Sequence, residues 1–296
     1  MLLQTISANI WLAVGLAFIF SLLVGSFLNV VIHRLPLMME REWKLEAQLM
    51  AAATDDSGHQ QVSPELTQPY NLAVPASTCP GCQHRIRWYE NIPLISYLFL
   101  RGQCSSCAAP ISLRYPVIEL LTAAISALIV YLYGFNLIAL SAVFFSWCLV
   151  ALTAIDIDHQ LLPDKITLPL LWLGLIINSF GIFTTLPLAL WGAVLGYLSL
   201  WSVYWLFKLV TGKEGMGYGD FKLLAALGAW AGADMLPLII LCSSLIGAIV
   251  GGLMIALTRH GSQTPIPFGP YLAGAGWIAL LWGHEITGLY LSYIGL

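Results

Sequence analysis

The chain has 296 residues, of which 59% are hydrophobic and 9% are charged, and its formal net charge is −3. Soluble domains contain about 25% charged residues, so this composition excludes an ordinary soluble fold. The small net charge says little by itself, and the positions of the charged residues along the chain are more informative.

The first predicted element is a membrane span. Residues 10–32 contain no Asp, Glu, Lys or Arg, and the segment is long enough to cross about 30 Å of hydrocarbon. It has neither a basic leading region nor a clear small-residue cleavage site. We therefore expect a retained span and not a removed signal peptide.

The next segment, residues 33–115, is polar and contains most of the charge of the chain. It also contains four of the six cysteines, arranged as two CxxC pairs with 21 residues between them. These pairs are Cys79 with Cys82 and Cys104 with Cys107.

The two CxxC pairs are typical of a metal site. Four thiolates can bind one tetrahedral zinc ion, at about 2.3 Å per Zn–S bond, and they leave no open coordination position. Disulfides are a poorer explanation in a reducing cytoplasm. His84 is an alternative ligand, but a lone histidine beside four cysteines is more simply incidental. The spacing predicts a structural zinc module over 79–107.

Apolar stretches with short polar breaks make up the rest of the chain. They cover 116–133, 138–155, 166–182, 186–207, 221–233, 236–257 and 270–290. Together with the first span they predict eight crossings, although 221–258 is long for one span and short for two.

The positions of lysine and arginine test this count, because these residues concentrate in the inside loops of membrane proteins. With the N-terminus outside and eight crossings, all twelve Lys and Arg fall at or beside four inside segments. These segments are 33–115, 156–165, 208–220 and 258–269.

The sequence thus predicts an all-α polytopic membrane protein with about eight transmembrane helices and a small cytoplasmic zinc-binding module between the first two. We divide the chain into the first span (1–32), a cytoplasmic domain (33–115) and a membrane bundle of about seven spans (116–296).

Two acidic residues stand beside apolar runs, on the same predicted inside face. Asp156 directly follows the run 144–155, and Asp220 follows Gly217 and Gly219 and precedes another apolar run. A charged side chain costs roughly 2.5–3.5 kcal/mol at the centre of an inserted helix, so such residues are functional candidates. The alternative for Asp220 is a helix N-cap, a position that Asp favours.

Other charged residues near these two have ordinary interpretations. Asp158 and Asp164 are expected in a solvated loop, with Asp164 capping the helix that begins near Lys165. Lys222 is either a charge that perturbs Asp220 or an anchor on the inside face.

A pair formed by Asp156 and Asp220 suggests aspartic-protease chemistry. Two carboxyl groups held close together share one proton, so the ionised group can activate water while the protonated group polarises a carbonyl. An ion- or proton-coupled transporter with buried Asp residues is the main alternative, but it gives the four cysteines no role. A non-enzymatic assembly protein whose zinc module binds a partner would leave the aspartate pair unexplained.

At this point the motifs resemble a known family, the type IV prepilin peptidases of bacterial type IV pilus and type II secretion systems. The resemblance covers nearly the full length of the chain. The matching segments are 25–36 (GSFLNVVIHRLP), both CxxC pairs, 88–93 (WYENIP), 112–116 (SLRYP), 156–164 and the GYGD of 217–220.

The resemblance implies that Asp156 and Asp220 are catalytic, and it gives no catalytic role to Asp158 or Asp164. It implies cleavage of the basic leader of type IV prepilins and type II pseudopilins after Gly, at the cytoplasmic face of the bacterial inner membrane. It also implies N-methylation of the new first residue, usually Phe, by S-adenosyl-L-methionine. The expected partners are these substrates and the lipid bilayer, with no nucleic acid.

The methyltransferase assignment rests on this resemblance alone. No G-x-G-x-x-G loop occurs in 33–115, so the residues that bind the methyl donor stay unknown. A family member that has kept the peptidase and lost methylation is a further alternative.

Overall fold

A computed structural model describes residues 9–54, 68–257 and 266–293. Within these ranges the chain forms nine α-helices and two short 3₁₀ helices, Trp88–Asn91 and Ala233–Met235, and no β-strand. The α-helices are α1 (Ile10–Thr54), α2 (Ile95–Phe99), α3 (Arg114–Tyr133), α4 (Leu137–His159), α5 (Asp164–Ser179), α6 (Leu186–Thr211), α7 (Tyr218–Ala231), α8 (Leu236–Leu257) and α9 (Gly269–Tyr293). The predicted all-α class is confirmed.

Each of the eight predicted apolar segments corresponds to one of these helices, and α2 lies outside them. The first helix does not end at residue 32 as predicted but continues to Thr54. In the described part, five segments are long and apolar enough to cross a membrane: Ile10–Ala51, Arg114–Tyr133, Leu137–His159, Leu186–Thr211 and Ala233–Met254. The chain is therefore a multi-pass membrane protein. Residues 258–265 of the predicted inside loop, including Arg259, lie outside the described residues.

The chain divides into two compact units, Met1–Asn136 and Leu137–Leu296. In the first unit α1 packs along α3. A Cβ atom on Gly25 would lie 2.7 Å from the Cα of Glu119, so only glycine allows the two helices to approach this closely. Buried hydroxyls of Thr122 and Ser126 donate to carbonyls four residues earlier in α3. Small residues and internally bonded hydroxyls at a contact are typical of helix pairs in membranes.

In the second unit α7 is the central helix and contacts α5, α6 and α9. It has 14 residues, and nearly all of them from Asp220 onward are buried. A helix that is apolar on all sides belongs in the interior of a bundle. Its closest neighbour is α6, because a Cβ atom on Gly192 would overlap the carbonyl of Gly228.

The buried side-chain amide of Asn178 caps the C-terminal end of α7. The Nδ2 of Asn178 donates to the carbonyl oxygens of Ala229 and Trp230, at 2.8 and 3.0 Å. Its Oδ1 accepts the N–H groups of Phe183 and Thr184. Since the last carbonyls of a helix have no partner inside the helix, Asn178 has a structural role here.

Candidate active site

Asp156 lies in the last turn of α4 and is only 5% exposed. The helix ends at His159, and Gln160 has a positive φ of 52°, so the chain turns away immediately after the aspartate. The N–H of Gly269, the first residue of α9, donates to Asp156 Oδ2 at 3.0 Å. A free N–H at a helix N-terminus is a natural partner for a carboxylate.

Gly269 is a site residue that sequence reasoning missed. A Cβ atom at this position would lie 2.6 Å from Asp156 Oδ2 and 3.2 Å from the Cδ2 of Leu162. Its signal in the sequence is the run Pro267-Phe268-Gly269-Pro270 before the last apolar stretch. Such a run marks a helix start, but it does not indicate which side chain the helix start contacts.

Asp220 is the third residue of α7 and is 7% exposed. The predicted N-cap role was wrong, because Gly217 occupies the N-cap position. The carbonyl oxygen of Gly217 instead accepts the backbone N–H of Asp220, at 3.3 Å. The start of α7 therefore fixes the position of the residue that bears the carboxylate.

The structure brings Asp156 and Asp220 into one buried site, close enough for the charge of one to act on the other. Buried Leu162 lies beside both, since Cβ atoms on Gly219 and Gly269 would each meet its side chain within 3.2 Å. Two carboxyl groups next to an apolar wall can share a proton and divide the roles of general acid and general base.

The other predicted acidic residues do not join this site. Asp158 is exposed at the end of α4. Asp164 is not an N-cap, because that position is Pro163 and Asp164 is the first helical residue. Both oxygens of Asp164 accept from Lys222 Nζ, at 2.8 and 2.7 Å. Lys222 thus connects the start of α5 to the second turn of α7.

The four predicted metal ligands form a second site, in the Met1–Asn136 unit. All four Sγ atoms lie within 4.8 Å of one another. The distance is 3.8 Å between Cys79 and Cys107, and 3.9 Å between Cys82 and Cys104. Zn–S bonds of about 2.3 Å in a tetrahedron give S···S distances of about 3.8 Å. The four thiols are free and can hold one tetrahedral metal ion.

Comparison with known proteins assigns the family. Residues 19–133 match the bacterial peptidase A24 N-terminal domain, and residues 142–252 match the type IV leader peptidase family. The chain belongs to the type IV leader peptidase family. The predicted resemblance is confirmed, and both carboxylates of the buried pair lie in the segment that matches this family.

Relatives of this leader peptidase family match almost the whole chain, and each is named prepilin leader peptidase/N-methyltransferase. One from Pseudomonas aeruginosa is 61% identical over 275 residues, which are 93% of this chain and 92% of the relative. Another from Stutzerimonas stutzeri is 57% identical over 281 residues, 95% of this chain and 94% of the relative. A third from Aeromonas hydrophila is 57% identical and covers 95% of both chains. No solved structure gives a significant match.

In this member of the leader peptidase family the two CxxC pairs adopt the same turn. The residue after each second cysteine, Gln83 or Ala108, has a positive φ, 59° and 57° respectively. N–H groups of Cys82 and Gly81 bond to the first thiol and lower the pKa of Cys79 to about 7. In the second pair, the N–H groups of Ser106 and Cys107 lower the pKa of Cys104. The first cysteine of each turn therefore favours the thiolate, the form that binds a metal. The pKa of Cys107 is instead raised to about 12, mainly by its hydrogen bond with the Cys82 thiol.

Glu90 forms hydrogen bonds between the parts of the chain that carry the two CxxC turns. The sequence alone did not indicate this role. Glu90 accepts the backbone N–H of Arg87 at 2.8 Å and the hydroxyl of Ser105 at 2.6 Å. These two bonds lower the pKa of Glu90. The Nε2 of His84 lies 3.3 Å from the same carboxylate, and His84 is outside the four-cysteine group.

A further network at the start of α7 was also missed. Lys208 Nζ lies 2.8 Å from Glu214 Oε1 and 3.3 Å from the hydroxyl of Tyr204. The hydroxyl of Tyr218 donates to that of Tyr204 at 3.4 Å. These contacts fasten the loop between α6 and α7, whose last residue is Gly217.

Proposed function

We propose that this protein cleaves the leader peptide of type IV prepilins and type II pseudopilins, and then N-methylates the new N-terminal residue. The observation that carries the peptidase half is the buried pair of Asp156 and Asp220 in a chain of the type IV leader peptidase family. The names of the relatives support both halves. They give no support to the transporter alternative.

In the proposed reaction Asp156 and Asp220 share one proton and hold a water molecule. The ionised carboxylate takes a proton from this water as the oxygen attacks the scissile carbonyl carbon, while the protonated carboxyl donates a hydrogen bond to the carbonyl oxygen. A proton then passes to the leaving nitrogen, and the C–N bond breaks. The N–H group of Gly269 would fix the Asp156 carboxylate during these steps.

We place this site at the cytoplasmic face of the inner membrane. The distribution of Lys and Arg supports this orientation. A prepilin has a basic leader followed by an apolar helix, so its scissile bond would lie at the same membrane boundary. We accordingly keep the division into a first span (1–32), a cytoplasmic domain (33–115) and a membrane bundle (116–296).

Cys79, Cys82, Cys104 and Cys107 would hold a structural zinc ion. The S···S distances of 3.8 and 3.9 Å and the lowered pKa of Cys79 support this assignment. The ion would crosslink the two turns. S-adenosyl-L-methionine would supply the methyl group, and we assign no residue to its binding.

The test uses the purified protein, a prepilin and labelled methyl donor, with leader cleavage and methyl transfer measured separately. Asp156→Asn and Asp220→Asn should each abolish cleavage but still methylate a prepilin supplied without its leader. Asp158→Asn is the matched control, because Asp158 lies two residues further along the chain and is exposed. Full cleavage by either active-site variant would exclude the aspartyl mechanism.

A further inference from the structure

The short helix α2 presents an apolar face that is uncovered within the described part of the chain. Ile95, Leu98 and Phe99 share one side of the helix through their i, i+3, i+4 spacing. They are 52%, 74% and 85% exposed, respectively. Leu113, immediately before α3, is a further exposed apolar residue. Large apolar side chains clustered on a surface mark a site of interaction.

The inward side of α2 is the more polar one. The hydroxyl of Ser96 donates to the carbonyl of Ile92 at 2.7 Å, and the hydroxyl of Tyr97 donates to that of Ile111 at 3.4 Å. Gly102 lies against the Tyr97 ring, since a Cβ atom there would be 2.8 Å from the Tyr97 hydroxyl. This helix turns its polar groups inward and its apolar groups outward, opposite to a helix on a water-exposed surface.

A hydrogen bond holds the start of α2 beside α3. The N–H of Leu94 donates to Glu119 Oε2 at 3.0 Å. The span candidate α3 begins at Arg114, and Glu119 lies about 7.5 Å further along the axis at 1.5 Å per residue. The segment just before α2 is therefore held beside the second turn of a membrane helix.

The span candidate α3 also carries exposed apolar residues. Leu113, Val117, Leu120 and Leu121 follow one helical face, and all four are exposed. Exposed arginines flank the surface, because Arg101 follows α2 and Arg114 begins α3. Arginines in such positions can reach lipid phosphates while their apolar neighbours lie among the acyl chains.

We propose that Ile95, Leu98, Phe99 and Leu113 form a lipid-docking surface that inserts at the headgroup boundary of the bilayer crossed by α3. The ligand is the membrane surface itself, with anionic headgroups beside Arg101 and Arg114. The four-cysteine module is then bound to the membrane surface, in addition to its covalent links to α1 and α3.

The test is photocrosslinking of the full-length protein in phosphatidylcholine vesicles that contain phosphatidylglycerol. The photoreactive residue p-benzoylphenylalanine replaces Phe99 in one variant and exposed Ser106 in the matched control. A thermal unfolding temperature equal to that of the wild type shows that both variants are folded. We expect mainly lipid adducts from position 99 and few from position 106. Adducts to a second copy or to a prepilin, or no adducts at all, would overturn the proposal.

A second measurement tests the arginines. In the Phe99 crosslinking variant, Arg101→Gln together with Arg114→Gln should lower the yield of phosphatidylglycerol adducts several-fold. The yield of phosphatidylcholine adducts should fall less. Equal losses for the two lipids would overturn the role of anionic headgroups.

Discussion

Replacing Gly269 with alanine is the sharpest test of how Asp156 is held. The new methyl carbon would lie 2.6 Å from Asp156 Oδ2, so the carboxylate must withdraw by roughly 0.6 Å or more to reach ordinary contact. That shift stretches the 3.0 Å bond from the Gly269 N–H. Hydrogen bonds to charged groups contribute about 1.5–3 kcal/mol, and a catalytic group misplaced by about 1 Å can lose roughly 10²-fold in rate.

We therefore expect Gly269→Ala to lower kcat for leader cleavage by about 10²-fold, with methylation of leaderless substrate unchanged. Gly274→Ala is the matched control in the same helix, because a Cβ atom at Gly274 meets nothing within 4 Å. The assay compares initial cleavage rates at saturating prepilin, together with thermal unfolding in detergent. A Gly269→Ala enzyme with more than half of the wild-type rate would refute this account of the site.

Three further outcomes follow from the described contacts. Gly192→Ala should lower the thermal unfolding temperature, because the new methyl group would overlap the Gly228 carbonyl and overpacking costs about 1–3 kcal/mol. Gly252→Ala is the control and should leave the unfolding temperature unchanged, because a Cβ atom there meets nothing within 4 Å. Cys79→Ser should release the metal and expose 79–107 to protease, and metal analysis that finds no zinc in the wild type would contradict the assignment. Because the pKa of Glu90 is lowered, its ionised form stabilises the folded module above the ordinary Glu pKa of 4.5, and this contribution is lost as pH falls through the lower, folded value. Proteolysis profiles of wild type and Glu90→Gln across this pH range should therefore differ above pH 4.5 and converge as pH falls through the lowered pKa of Glu90.

The two aspartates were predictable because a carboxylate next to an apolar run is visible in the sequence. The cysteines were predictable because their spacing alone suggests four ligands. The contact between Gly269 and Asp156 was not, since it joins residues 113 positions apart. No local pattern specifies which helix start meets which carboxylate.

The capping predictions failed for a more local reason. Asp164 and Asp220 both lie in a first helical turn, as expected, but the residue that caps a helix is set by where the backbone hydrogen bonds begin. Those bonds begin after Pro163 and Gly217. The lengths of the membrane spans were also hard to predict from the sequence, because a short helix buried inside a bundle is as apolar as a helix that faces lipid. Only the packing of α7 against its neighbours distinguishes the two.

The shortness of α7 has a consequence for how water and substrate reach the site. Fourteen residues make a helix about 21 Å long, whereas the hydrocarbon layer is about 30 Å thick. Because α5, α6 and α9 enclose α7, this difference in length is met inside the bundle and not by the surrounding lipids. If the end that bears Asp220 is the one that falls short, the two carboxyl groups lie at the bottom of a recess between helices, and water must fill that recess for hydrolysis to occur. A substrate whose apolar segment begins directly after the scissile bond can lower that bond into the recess, which a long polar stretch at the same place would prevent.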